Sequence, residues 1–288
     1  MSRTLLKSVA IILVLIITIT GFVYYFITHP IVQHQLSTTS IGTLALLFIL
    51  YLGVVGAISL VTYATLLLCN LKLQAGESLL LTAYATVINF FGPLQSGPAF
   101  RGVYLKRRHG LPLKQYALAT LVFYALYAGI SGLFLLSGVF GWWLFYAAVV
   151  ALLVLMLVLK SSVPIAVRMR ELHMTAVYAL AGATLLQLSL VAVIYFVELR
   201  SIDHTIHFGQ AVVYAGAANF ALFVSITPGA IGFRESFLLF SQRLHHISSS
   251  TIVTANIIDR SVYIVVLAIL GLVIFGTHAQ RTLRRTTE

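Results

Sequence analysis

Uncharged stretches of 20 residues or more govern what this chain can fold into. They occupy 8–28, 41–69, 115–159, 172–197 and 208–233, and a last run at 248–277 is interrupted only by Asp259 and Arg260. A helix needs about 20 apolar residues to cross the hydrocarbon core of a bilayer, so each run is a candidate span and the longest, 115–159, holds two. Composition agrees. The chain is 60% hydrophobic and 9% charged, against roughly 25% charged in soluble domains. Too little polar surface remains to cover a water-soluble globule. That disfavours soluble enzymes, disulfide scaffolds and nucleic-acid binders, despite a net charge of +11. The fold class is all-α integral membrane, and no nucleic-acid partner is expected. The single cysteine, Cys69, can form no internal disulfide.

Orientation follows from Lys and Arg, which favour the cytoplasmic side. Arg3 and Lys7 put the N-terminus inside. The run 8–28 ends in aromatic residues without a small-residue cleavage site, so it reads as a retained anchor rather than a signal peptide. It goes out, the loop 29–40 carries no Lys or Arg, and 41–69 returns. The stretch 78–91 is 14 residues long and is closed by Gly92 and Pro93. If it crossed, Arg101, Lys106, Arg107, Arg108 and Lys114 would all lie outside. A re-entrant hairpin, entering from the cytoplasm and turning at Gly92, Pro93, Gly97 and Pro98, keeps them inside. Spans near 115–137 and 141–159 follow, divided at Ser137–Gly141 with Trp142 and Trp143 at the interface. Span 172–197 goes out. A second hairpin, turning at Pro228, Gly229 and Gly232, brings the C-terminal arginines inside. All but four of the 18 basic residues (Arg200, Arg234, Arg243 and Arg260) are then cytoplasmic. The expectation is one transmembrane domain over 1–288, with six full spans, two re-entrant hairpins, and both termini on the cytoplasmic side of the cell membrane.

The two hairpins echo each other. Tyr84-Ala85 and Asn89-Phe90 recur as Tyr214-Ala215 and Asn219-Phe220, and Phe100-Arg101 recurs as Phe233-Arg234. Each marks the same unit of short helix, Pro/Gly break, Phe-Arg and long span. The charge argument starts the first unit inside and the second outside. This predicts an inverted repeat, with 41–137 as repeat 1, 141–159 as a connecting span and 172–277 as repeat 2. Broken helices in inverted repeats are a recurrent transporter architecture, with the substrate site near the midplane.

The segment Thr227-Pro228-Gly229-Ala230-Ile231-Gly232-Phe233-Arg234-Glu235 resembles the signature of the lysylphosphatidylglycerol synthase transmembrane-region family. So do Asn219, the Gly-Pro-x-x-x-Gly-Pro stretch before Arg101, and Asp259-Arg260 followed by Tyr263. Ala230 departs from the usual second glycine. The resemblance covers about 5–280 and implies the membrane half of multiple-peptide-resistance factors, regarded as a lipid flippase, in a stand-alone form. In two-part members a separate soluble domain makes the aminoacyl lipid. No residues follow 288 for such a domain, so this chain is expected not to be an enzyme, with a separate lipid-modifying synthase and a homo-oligomer as possible partners.

Charges at mid-membrane depth cost about 2.5–3.5 kcal/mol on insertion scales, so Arg101, Arg234, Glu235, Asp259 and Arg260 need partners or water. Sequence neighbours on a helix point apart, which favours the cross-pairs Glu235–Arg260 and Arg234–Asp259. Two readings stand. The arginines bind a lipid phosphate through their planar forks, or they form ion pairs that pin the second hairpin to the last span. Asn89 and Asn219 either cap backbone groups freed at the breaks or touch substrate. Asp203, His204 and His207 lie in a short outside loop, and no metal or cofactor site is expected. The function expected is movement of a polar-headed phospho- or aminoacyl-phospholipid between leaflets. The alternatives are an intramembrane enzyme on a lipid phosphate or lipid-linked sugar, with Glu235 or Asp259 as base, and a non-catalytic scaffold.

Overall fold

Lipid offers the backbone no hydrogen-bond partner, so an apolar segment satisfies its own N–H and C=O groups as a helix. A computed structural model describes residues 39–91, 96–141, 174–224 and 233–286, together with Ile27 and Pro30. Among the described residues the chain is all-helical. Its elements are α1 (Ile41–Leu67), α2 (Ala75–Phe91), α3 (Ser96–His109), α4 (Leu113–Phe140), α5 (Met174–Ile202), α6 (Phe208–Val224), α7 (Phe233–Phe240), α8 (Gln242–His245) and α9 (Ser249–Thr286). Among the described residues four helices are long and apolar enough to cross a membrane: α1, α4, α5 and the Ser249–Gly276 part of α9. Several sequence expectations lie outside the described residues: the first span 8–28, Trp142 and Trp143 with the rest of the connecting span to 159, and the breaks at Gly92, Pro93, Pro228, Gly229 and Gly232.

Local chemistry sets the ends. Ser40 caps α1, its hydroxyl accepting from the Thr43 N–H at 3.1 Å. The helix stops where Asn70 turns left-handed (φ 56°), and the Leu71 N–H returns to the Leu66 carbonyl at 3.0 Å. Two boundaries differ from the sequence reading. The expected break at Ser137–Gly141 is narrower, because α4 continues through Gly138 and stops at Gly141, which has φ 75°. Gly138 is there for packing: a Cβ on it would sit 2.8 Å from the Leu244 carbonyl and 2.9 Å from Val213. Helix α5 runs past the uncharged stretch to Ile202, carrying Glu198 into the interior and Arg200 on its last turn.

The short helices fold back. Glu77, early in α2, accepts from Tyr104 at 2.6 Å and meets His109 at 2.8 Å, both late in α3. At the other end, Asn89 Oδ1 accepts from the Gly97 N–H at 3.3 Å. Helices α2 and α3 are therefore antiparallel. Helix α6 and the α7–α8 segment are too: the Phe220 ring meets Phe237, while Gln210 donates to the His245 carbonyl at 3.2 Å.

The packing partners form two matching series. Helix α1 packs on α2 as α5 packs on α6, and α3 meets α4 as α7 meets α9. The series also exchange contacts, since α4 packs on α6 and α9 packs on α2. The two leading helices, α1 and α5, pack side by side. Leu47 and Tyr51 share an apolar cluster with Ile194, whereas Val61, Ala64 and Leu66 share one with Ala176 and Leu180. The start of α1 thus lies by the end of α5, and the corresponding helices run antiparallel.

Candidate functional site

Where the short helices end, the long helices cannot close over one another. A cavity of about 250 Å³ remains there, and every described helix except α8 contributes to its wall. Arg101, Arg234, Asp259, Arg260, Asn89 and Asn219 all line it, residues spread over 172 positions of sequence and brought to one place. Pro98 also lines it, from the first turn of α3. Gly97 lies behind it, where a Cβ would come within 2.6 Å of the Ala85 carbonyl, so only glycine lets α3 start this close to α2.

Both cross-pairs expected from the sequence are present. Arg234 on α7 is 5% exposed and Asp259 on α9 is 3% exposed. One guanidinium nitrogen of Arg234, Nη2, bonds to Asp259 Oδ2 and to Asn256 Oδ1, the latter at 2.7 Å. The other, Nη1, donates to the Tyr195 hydroxyl at 3.1 Å. The Tyr51 hydroxyl donates to Asp259 Oδ1, so both carboxylate oxygens are occupied. Beside this cluster Arg260 Nη2 donates to Glu235 Oε1 at 3.0 Å. The sequence neighbours Arg234 and Glu235 approach only to 3.8 Å. Glu235 is not in the cavity wall and serves through Arg260. The ion pairs join α7 to α9, and Tyr51 ties both to α1.

Arg101 stands apart. Its Nη1 donates to the Thr62 hydroxyl at 2.6 Å, and Thr62 also accepts from Thr82 at 3.3 Å. Among the described residues Arg101 has no carboxylate partner, and its buried Nε has no hydrogen bond. The two asparagines also part ways. Asn89 caps the freed Gly97 N–H, whereas Asn219, 1% exposed, accepts from the Tyr127 hydroxyl at 3.0 Å, and its buried amide nitrogen has no hydrogen-bond partner among the described residues. Asn219 thus lies in the wall, and the break it was expected to cap lies outside the described residues.

The residues that brace the Arg234–Asp259 pair escaped the sequence reading. Tyr51, Tyr195 and Asn256 hold the Arg234–Asp259 pair. Asn256 sits three residues before Asp259, on the same helical face, which was the available signal. Glu198 is fully buried, and neither carboxylate oxygen has a hydrogen-bond partner among the described residues. It looked like a span terminus because the uncharged run stops one residue before it. Among the described residues no cluster of three His, Cys, Asp or Glu could hold a metal. Asp203 instead accepts from the Thr205 N–H and hydroxyl at 2.9 and 2.6 Å, and these bonds hold its carboxyl below the usual range.

This buried ion-pair cavity, at the ends of two broken-helix arms, sits in a chain whose residues 5–271 match the sequence pattern described as "Lysylphosphatidylglycerol synthase TM region". The protein belongs to that family. No curated protein matches the chain. Family membership, with four helices able to cross a bilayer, makes it a multi-pass membrane protein of a group related to lipid handling. The lysylphosphatidylglycerol synthase transmembrane family thus takes in this chain over nearly its whole length, including the stretches that carry Arg101, Arg234, Asp259 and Arg260.

Proposed function

We propose that the protein moves a polar-headed phospholipid between leaflets and performs no covalent chemistry on it. The observation that carries this reading is Arg101: a cation that, among the described residues, has no carboxylate partner, in the wall of a cavity built from both helix series. A headgroup crossing the bilayer needs such a polar seat while its acyl chains stay in lipid. Arg234, Asp259, Arg260, Asn219 and Asn89 complete the proposed binding wall, and Glu235 supports it through Arg260. The antiparallel arms and the reciprocal pairing of α1–α4 with α5–α9 support an inverted repeat with two re-entrant hairpins. With 8–28 and 141–159 as further spans, the proposal is six full crossings with both termini cytoplasmic in the cell membrane.

Intramembrane hydrolysis is the weaker reading. It needs a carboxylate in the cavity wall free to take a proton; Asp259 and Glu235 are each engaged by an arginine, and Glu198 does not line the cavity. A separate lipid-modifying synthase is the proposed supplier of substrate. The test is reconstitution of the purified chain in vesicles with acyl-labelled tracers bearing different headgroups. Accelerated exchange of at least one phospholipid over protein-free vesicles is expected. Binding without exchange would point to a scaffold, and release of phosphate or sugar to an enzyme.

A further inference from the structure

We propose that Glu198 is a proton-binding site behind the cavity wall, and that a proton taken up and released there drives the movement of lipid. The coupling rests on the transport reading above; the proton site does not.

Glu198 lies near the end of α5, is 0% exposed, and neither carboxyl oxygen has a hydrogen-bond partner among the described residues. An ionised carboxylate only accepts hydrogen bonds. Buried without a donor, it is among the costliest groups an interior can hold, and taking up a proton removes the charge. Glu198 does not line the cavity, but Tyr195 does, three residues earlier on the same helical face and in electrostatic contact with it. The acid is therefore out of reach of a bound headgroup, with Tyr195 between it and the space that headgroup would occupy.

Two charged groups act on Glu198: Asp259 from α9 and Arg234 from α7. Tyr51 from α1, Tyr195 of α5 and Tyr214 from α6 complete the titratable shell. Beyond them Tyr127 of α4 acts on Tyr195, and the His245 ring lies 5.4 Å from that of Tyr214. One cation thus faces two carboxyl groups. That cation is committed to Asp259. Arg234 Nη2 bonds to Asp259 and Asn256, Nη1 donates to Tyr195, and Nε lies 3.8 Å from Glu235. The Tyr51 hydroxyl also goes to Asp259. The other cavity arginines are engaged elsewhere, Arg260 by Glu235 and Arg101 by Thr62. Where two carboxyl groups share one site, a proton neutralises what the cation does not.

The step is a proton transfer alone. Glu198 gives its proton to water in the cavity, becomes a carboxylate, and later takes a proton back from water. The Tyr195 hydroxyl accepts from Arg234 and keeps its own hydrogen to donate, which fits it to relay that proton. Once ionised, Glu198 competes with Asp259 for Arg234. Since the Arg234–Asp259 pair joins α7 to α9 and both residues line the cavity, the proton's departure loosens that joint and alters the wall.

The test uses the purified full chain carrying Cys69→Ser as parent. Infrared spectra at pH 7.5 should show the carbonyl stretch of a neutral carboxylic acid, shifted in deuterium oxide and lost in Glu198→Gln. Glu198→Asp keeps the acid and should move the band rather than remove it, which decides the assignment if Glu198→Gln does not fold. In detergent the parent's unfolding temperature should fall as pH rises from 7 to 8.5, because the folded chain holds a proton that the unfolded carboxyl has already lost. Glu198→Gln should flatten that slope. A parent without the band, or a band that neither substitution changes, overturns the proton site. Coupling is read in vesicles under a gradient of about one pH unit, with the membrane potential clamped, using acyl-labelled phosphatidylglycerol and phosphatidylethanolamine. Relative to protein-free vesicles, the parent should enrich at least one tracer in one leaflet, by up to about tenfold for one proton per lipid, and Glu198→Gln should leave it evenly distributed. Movement that ignores the gradient, or equal enrichment by Glu198→Gln, overturns the coupling and leaves the transport reading intact. If neither tracer moves in the parent, the transport reading and the coupling fall together, and the infrared band still decides the proton site.

Discussion

Arg234 and Arg101 are both arginines near the start of a returning arm, yet they do different work. Arg234 is held by Asp259, Asn256 and Tyr195 through both terminal nitrogens of its guanidinium. Removing it strands the Asp259 carboxylate in the interior, and breaking a buried pair costs about 3–5 kcal/mol. Arg234→Ala is therefore expected to lower the unfolding temperature in detergent sharply, and Arg234→Ala with Asp259→Ala to recover much of the loss. Among the described residues Arg101 bonds to Thr62 alone, so Arg101→Ala should unfold within a few degrees of wild type while lipid exchange falls. A large stability loss from Arg101→Ala would reassign it as a structural residue. His245 gives a pH prediction. Burial lowers its imidazole below the ordinary 6.5, outweighing the Leu238 carbonyl that favours the charged form. Its Nδ1 accepts from the Ile247 N–H, so Nε2 carries the proton given to Leu238. The unfolded chain then binds more protons than the folded one as pH falls through about 6.5. Unfolding temperature should fall progressively below that pH, and His245→Gln should flatten the slope.

Helices in this protein touch through glycines where the arms must lie close. A Cβ at Gly216 on α6 would stand 2.3 Å from the Leu135 backbone nitrogen of α4, and one at Gly97 would stand 2.6 Å from the Ala85 carbonyl. Overpacking of this kind costs about 1–3 kcal/mol. Gly216→Val and Gly97→Val should each destabilise, whereas Gly132→Ala, which meets nothing within 4 Å, should be neutral or slightly stabilising. Thermal melts of the three variants check the contrast. At the base of the first arm, burial raises the Glu77 carboxyl, but Tyr104, His109 and Arg108 outweigh it and hold it below the usual range. That joint stabilises the α2–α3 hairpin above the ordinary carboxylate range and loosens as pH falls through it.

Over the whole molecule, the hairpin reading assigns sides. Cysteine at Lys106 should be labelled by membrane-impermeant thiol reagents from the cytoplasm and not from outside. Cys69 itself is buried, and burial pushes its thiol up to about 11. At pH 7.5 it should react slowly in the native protein and fully after denaturation, so it adds little background. Labelling of Lys106→Cys from the outer face would remove the first hairpin and, with it, the inverted arrangement.

Among the described residues, the positions of four long apolar helices, the two short arms and the residues that carry charge into the interior were legible in the sequence, because bilayer thickness imposes a length on apolar runs and desolvation makes each buried charge conspicuous. The pairing Arg234–Asp259 and Arg260–Glu235 followed from helical geometry alone. Three things were decided only by tertiary packing. Helix α5 keeps Glu198 inside because α1, α6 and α9 close around it, which no local pattern encodes. Asn89 and Asn219 look equivalent in the repeat, yet among the described residues one accepts from a backbone amide and the other from the Tyr127 hydroxyl. Arg101 and Arg234 match in sequence too. Asp259 meets Arg234 and, among the described residues, no carboxylate meets Arg101, so folding gives one arginine an ion pair and not the other, and that asymmetry depends on which side chains meet across the cavity.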